Sequence, residues 1–257
     1  MALLFSGCGK PPPAPTGPAR PWADFLADLT HLEHWPRLDT EGALQLASSD
    51  RSGRNQDYNR FDGESENPGW LVVANLTGPG VVRRFWLTGV DEDHPLKIYF
   101  DGETSPRLSG TVSELFGGQA PFLPPLAQRI NLCWVSYVPL TFSRSIRIET
   151  KAPPLHHHWG QRKLFYHVNV EPLPSTNVES FPASLNPSHR EALDKVSETW
   201  LASTDWPTDD PGEERVVEAG QETVLLEQSG PGTVEAWNLS IKPQGKIKQI
   251  EKEYLLQ

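Results

Sequence analysis

The densest group of chemically able side chains is the run Ser48 to Tyr58, SSDRSGRNQDY. Asp50 and Asp57 offer acceptor oxygens, Arg51 a planar donor fork, and Asn55 an amide that both gives and takes, a set suited to sugar hydroxyls. The same residues can instead build a loop that hydrogen-bonds to itself, with Asp50 and Arg51 holding turns. A second group is acidic: Asp91, Glu92, Asp93, Asp101, Glu103 and Glu114. Cleaving a glycosidic bond takes two facing carboxyls, roughly 5–5.5 Å apart for retention and wider for inversion. Sequence spacing does not set that distance. Asp101 and Glu103 flank a glycine and suit a turn, while Asp91 to Asp93 suits a solvated loop. His156, His157 and His158 can ligate a metal, but no Cys, His or carboxylate stands at a partner spacing, so neither a metal nor a cofactor is expected. No G-x-S-x-G is present, which sets acyl transfer aside.

These residues sit in a chain of 257 residues with 37% hydrophobic side chains, enough for one large β-domain or two small ones. The net charge of −10 and the lack of any basic run exclude a nucleic-acid surface, which needs clustered Lys and Arg. Nine tryptophans suit a sugar-handling protein and equally a β-sandwich core. Of the two cysteines, Cys8 ends an apolar leader and Cys133 lies in the apolar run Ile130 to Val138, so no disulfide is expected and Cys133 reads as a small buried hydrophobe.

The elements that must position the candidate residues are strands. Trp70 to Glu103 reads as three in succession, Leu71 to Leu76, Val81 to Leu87 and Leu96 to Phe100, broken by Gly78-Pro79-Gly80 and closed by Asp101-Gly102. The rest of the chain is expected to wrap this sheet. Asn131 to Pro139 and Ser145 to Thr150 follow as strands joined by a polar turn, after an extended proline-rich crossing, PFLPPLAQ. Leu164 to Val170 adds another. With at least six strands and no βαβ alternation, the fold class is all-β, an antiparallel jelly-roll β-sandwich. Trp22 to Leu32 has helical spacing and is predicted to cover one end of the sandwich. Pro187 to Thr204 is predicted as a longer connector helix capped by Asn186 or Ser188.

The N-terminus, MALLFSGC, resembles the end of a bacterial lipoprotein signal, in which small residues precede a cysteine that is acylated. Cys8 is the candidate, and the proline-rich KPPPAPTGPARP would space a domain from a membrane. Downstream, VLLEQSGPGTVEAWNLSI repeats the pattern of strand, Gly-Pro-Gly and strand, with Gly230 a whole domain's length from Gly78. No counterpart of IYFDGE follows. The expected organisation is leader and spacer over residues 1–21, a first β-domain over 22–185, a connector helix and acidic linker over 186–215, and an incomplete second copy over 216–257.

In order, SSDRSGRNQDY, LTGPGVVRRFWLTG, LKIYFDGE, SELFGG, VPLTFSRSIRIET and LFYHVNV resemble glycoside hydrolase family 172, formerly domain of unknown function 2961, over Ala23 to Val170 and more loosely to Leu239. The resemblance implies two tandem jelly rolls per protomer, homo-oligomers built on trimers, and retaining hydrolysis of α-fructofuranosides or α-arabinofuranosides. It implies a carbohydrate partner, a bacterial cell-envelope or extracellular location with lipid attachment through Cys8, and a sugar-bordering role for Asp50, Arg51, Asn55 and Asp57. The family's catalytic glutamates belong to the second jelly roll. Glu92 and Glu114 hold the corresponding places in the first and are not assigned as catalysts, so no catalytic residue is expected here and the 257-residue chain is expected to be inactive alone. The alternative is a non-catalytic carbohydrate-binding or oligomer-assembly module.

Overall fold

A computed structural model describes residues 17–31, 42–156, 160–174, 176–202, 216–218, 220–225, 227 and 229–231. The chain divides into two units, Met1–Asp210 and Pro211–Gln257.

The first unit is a sandwich of two antiparallel sheets. Its strands are β1 (Leu44–Ala47), β2 (Leu71–Thr77), β3 (Gly80–Thr88), β4 (Pro95–Phe100), β5 (Leu108–Thr111), β6 (Ala127–Ile130), β7 (Cys133–Ser136), β8 (Leu140–Phe142), β9 (Ser145–Thr150), β10 (Leu155–His156), β11 (Gly160–Gln161) and β12 (Phe165–Pro172). One sheet has six strands in the order β1-β12-β3-β7-β6, with β8 also on β3. The facing sheet runs β2-β9-β4-β5, and β10 pairs with β11 alone.

Alternation explains the core, since every second residue of a strand faces inward. Ile146 and Ile148 of β9, Leu96, Ile98 and Phe100 of β4, and Phe85 and Leu87 of β3 are all buried in one cluster with Val168 and Val170 of β12. Burying a side chain of this size contributes about 1.5–3 kcal/mol.

The three strands from Leu71 to Phe100 exist but do not form one sheet. β2 and β4 flank β9, while β3 lies in the opposite sheet between β12 and β7. Gly78-Pro79 therefore crosses between the layers rather than turning a hairpin. Gly78 takes φ 105°, a conformation that side chains with a Cβ rarely adopt, and its N–H donates to Arg144 O at 2.7 Å. Such crossings between layers are ordinary in sandwiches, and a residue pattern that gives the facing of each strand says nothing about its neighbour.

Other expectations also change. Residues 44–47, at the start of the polar run, form β1. Part of the proline-rich crossing is β6, and β8 occupies the segment before Ser145, with all three of its residues buried. Cys133 is half-buried rather than buried, because it opens β7 beside the Asn131-Leu132 turn, where Leu132 is 75% exposed. Cys8 lies outside the described residues, as do Leu32, His157 and His158.

The N-terminal helix is short: α1 (Trp22–Ala27) runs into a single 3-10 turn, Asp28–Thr30. Trp22 and Leu26 enter the main core, Phe25 packs on Val81 and Val178, and Trp22 Nε1 donates to Pro139 O at 2.8 Å. The longer helix, α2 (Pro187–Ala202), starts at Asn186, whose Oδ1 accepts from His189 N at 2.9 Å. Expected as a connector, it lies against the sandwich: Leu193 and Val196 are buried, Trp200 packs on Tyr137, and Trp200 Nε1 donates to Leu29 O.

In the second unit, none of the described residues lies in a strand. Gly230, at φ 92°, shares the left-handed region with Gly78. The rest of the repeated segment lies outside the described residues.

Candidate functional site

β1 delivers the chain to the Ser48–Tyr58 loop and β12 anchors it. Ser48 is buried where the two strands pair. Its Oγ donates to Asp57 O at 2.8 Å and accepts from Tyr166 N at 3.1 Å, so one hydroxyl ties both ends of the loop to the sheet. Beyond the loop, Asn59 continues the anchorage. Its Oδ1 accepts from Leu164 N at 2.8 Å and its Nδ2 donates to Arg162 O at 2.9 Å.

Inside the loop, Asp50 organises the turns. Its Oδ1 accepts from Ser52 N at 3.0 Å and Ser52 Oγ at 2.6 Å, and its Oδ2 accepts from Gln56 N at 3.3 Å. The Arg60 guanidinium stands 3.6 Å from Oδ2, and the Asp50 side chain is only 4% exposed. Asp57 Oδ1 in turn accepts from Asp50 N at 2.6 Å. The Ser52 hydroxyl, then the Ser52 amide, hold the Asp50 carboxyl below its ordinary value. Arg51 and Asn55 differ from this pair: both are exposed, and neither makes a hydrogen bond or ion pair with a described residue. Asn55 instead supplies a left-handed backbone, φ 60°.

Together these elements border an open groove of about 760 Å³ lined by Arg51, Arg54, Arg60, Phe61, Asp62 and Tyr166 among others. The rings of Phe61 and Tyr166 stack at 6.2 Å, Tyr166 buried in the core and Phe61 half-buried against it, so Phe61 is the ring that meets the groove. Tyr166 OH donates to Arg60 O, and burial, with the Asp62 charge, pushes the phenol up to about 12. Arg60, Phe61, Asp62 and Tyr166 were not among the residues picked out from sequence. Tyr166 arrives through the pairing of Ala47 with His167, a long-range contact with no local signal.

Apart from Asp93, the acidic candidates each have a partner among the described residues, and Asp91, Glu92 and Asp93 border a common groove with Arg129 and Arg162. Asp91 pairs with Arg162 at 2.8 Å, and Glu92 pairs with Arg129, which lies over the Trp134 ring. Glu114 turns back on its own chain, accepting from Thr111 N at 2.7 Å, a bond that lowers its pKa. Glu103 pairs with Arg107. Asp101 sits in a turn closed by Glu103 N on Phe100 O, with positive φ at both Asp101 and Gly102 as a type I′ turn requires. Its carboxyl accepts from Ser143, Arg144 and Ser145 N–H groups and from Ser180 Oγ. Burial opposes ionisation there, but these bonds outweigh it and hold the pKa down. Among the described residues, no three His, Cys, Asp or Glu are grouped so as to hold a metal ion.

A further carboxylate, Glu149, is wholly buried on the outer face of the smaller sheet. It accepts from Ser65 Oγ and from Asn67 Nδ2 at 2.8 Å. Arg147 Nε lies 2.9 Å away without its N–H aimed at the carboxylate, so that contact is a charge pair rather than a hydrogen bond. The alternation of SIRIET signals it, since Glu149 falls opposite the inward Ile146 and Ile148. The cluster pins the Ser65–Trp70 segment to the sheet.

With this geometry established, comparison with known families gives one match. A model of the GH172 first beta-sandwich domain covers residues 39–189, more than half of the chain. The chain belongs to glycoside hydrolase family 172. The matched span runs from just before β1 to the first turn of α2, so the GH172 domain includes both sheets and the Ser48–Tyr58 loop. Among curated proteins, none matches the chain.

Proposed function

We propose that this chain is the N-terminal part of a surface-attached α-furanosidase, acting with retention on α-fructofuranosides or α-arabinofuranosides, and that its first sandwich forms a sugar-bordering wall without supplying catalysts. The observation that carries this reading is the groove beside the Ser48–Tyr58 loop within a domain of a glycoside hydrolase family. Asp50 and Asp57 set the loop, and Arg51 and Asn55 meet the sugar.

The non-catalytic part of the reading rests on the carboxyls. Glu92 is committed to Arg129 and Glu114 to Thr111. Among the described residues the carboxyls that shift, Asp50, Asp101 and Glu114, all shift downward, opposite to what a general acid requires. In the same proposal, the protein sits at the bacterial cell envelope, lipidated at Cys8, and assembles as trimer-based homo-oligomers.

The test joins an assay to calorimetry on the 257-residue chain. No release of sugar from an α-furanoside, with measurable binding that Asp50→Ala abolishes, is expected. Sugar release would overturn the non-catalytic role, and absence of heat with every furanoside tried would overturn the sugar wall.

A second reading, an assembly module, is favoured by the exposed apolar tip of the β6–β7 hairpin, where Ile130 is 50% and Leu132 75% exposed. It predicts that Leu132→Asp lowers the mass seen in sedimentation.

A further inference from the structure

The hydrogen bonds of the Ser48–Tyr58 loop are asymmetric in kind. Its carboxylates are engaged within the loop: Asp50 through both oxygens by Ser52 and Gln56, Asp57 through Oδ1 by the Asp50 amide. Its guanidinium donors are not. Arg51 and Arg54 are exposed and take part in no ion pair or hydrogen bond with a described residue, in a chain whose net charge is −10. Arg60 meets Asp50 only at 3.6 Å, and its Nε donates to Gln56 O at 3.3 Å. All three arginines line the one groove. A neutral sugar offers hydroxyls that give as well as take, and recognition of it uses carboxylates together with donors. A rim on which the Arg51 and Arg54 guanidinium forks have no such partner instead matches an anion whose oxygens only accept, and can do so bidentately. Asp62 is the one carboxylate of the lining with no hydrogen bond from a described residue, and three arginines share that lining with it.

We infer that the groove takes an acidic saccharide, its carboxylate or sulfate ester held by Arg51 and Arg54 while the sugar ring lies against the half-buried Phe61. This rests on the reading of the groove as a sugar wall and adds the charge of the ligand to it. The two sources of anion share acceptor-only oxygens and are separated by experiment.

The test is calorimetric titration of the full chain with an oligogalacturonate, a sulfated galactan oligosaccharide and a neutral α-arabinofuranosyl oligosaccharide, at low salt and at about 0.15 M. The expected result is tighter binding of at least one acidic series than of the neutral one, weakening with salt. Arg51→Gln and Arg54→Gln each lower that affinity about tenfold or more, and Arg51→Lys lowers it less. The tighter acidic series identifies the anion. Because both arginines are exposed, unchanged thermal unfolding of the variants separates lost binding from lost fold. Equal affinity for neutral and acidic series, or acidic binding indifferent to both Gln variants, overturns the inference while leaving the sugar wall intact. Absence of binding by all three series overturns the sugar wall and the inference with it.

Discussion

Asp50 and Asp101 are both aspartates in glycine-containing turns, and both have carboxyls held below the ordinary range by hydrogen bonds. Their partners differ in reach. Asp101 accepts from Ser143, Arg144, Ser145 and Ser180, so it joins the β4 turn to the β8–β9 turn and to the segment before α2. Asp50 accepts from Ser52 and Gln56 within its own loop, with Arg60 alongside from two residues past its end. The first aspartate is part of the closure of the sandwich. The second makes a self-sufficient loop whose outward side chains are free of structural duty, and that freedom lets Arg51, Arg54 and Asn55 serve a ligand.

This contrast predicts a graded set of effects. Asp101→Ala removes a charged acceptor from three backbone N–H groups and puts alanine at φ 53°, so it costs about 3 kcal/mol in chemical denaturation. A loss below about 1 kcal/mol would erase the distinction between the two aspartates. Acid sharpens the same point. Folding holds the Asp101 carboxyl below 3.8, so the unfolded chain takes up the proton first. Its contribution is complete above pH 3.8 and is lost as pH falls below that value. Asp101→Asn is expected to flatten this part of the stability-against-pH curve, and an unchanged slope would assign the acid sensitivity elsewhere.

Smaller effects belong to the loop. Tyr166→Phe removes the phenol that donates to Arg60 O, and about 1 kcal/mol of stability is expected to go with it. Smallest of all, Arg51→Gln and Arg54→Gln are expected to shift the unfolding free energy by less than about 0.5 kcal/mol, because both are exposed and neither has a hydrogen bond or ion pair with a described residue to lose. A larger loss from either would show that the outward face of the loop has a structural role after all.

Much of the sandwich is legible in the sequence because β-branched alternation reports which residues face inward. Val81 to Leu87, Leu96 to Phe100 and Ser145 to Thr150 all stand within a residue or two of their observed strands. Alternation does not report partners, which is why β2 and β3 read as one sheet and lie in two. Short strands also escape it: β1, β6 and β8 have four residues or fewer, two periods of a strand at most, and the prolines before β6 masked its start. The loop is legible as a cluster of polar types, and its internal bonding was one of two readings the residues allowed. The groove was not legible. Tyr166 meets the loop only through the β1–β12 pairing, Phe61 is placed by its stacking on Tyr166, and Arg60 reads as an ordinary surface charge until Asp50 is placed beside it. The division between consumed acceptors and free donors is a matter of hydrogen-bond direction, which residue types alone do not carry.

The central claim, that the Ser48–Tyr58 loop is a self-held platform beside a sugar groove, is tested most directly by amide chemical-shift mapping of the full chain during titration with an α-arabinofuranosyl oligosaccharide and with an oligogalacturonate. Shifts are expected to concentrate at residues 49–62 and Tyr166, with the Asp101 turn unmoved. Shifts centred on any other surface, or on the Asp101 turn instead, would contradict it.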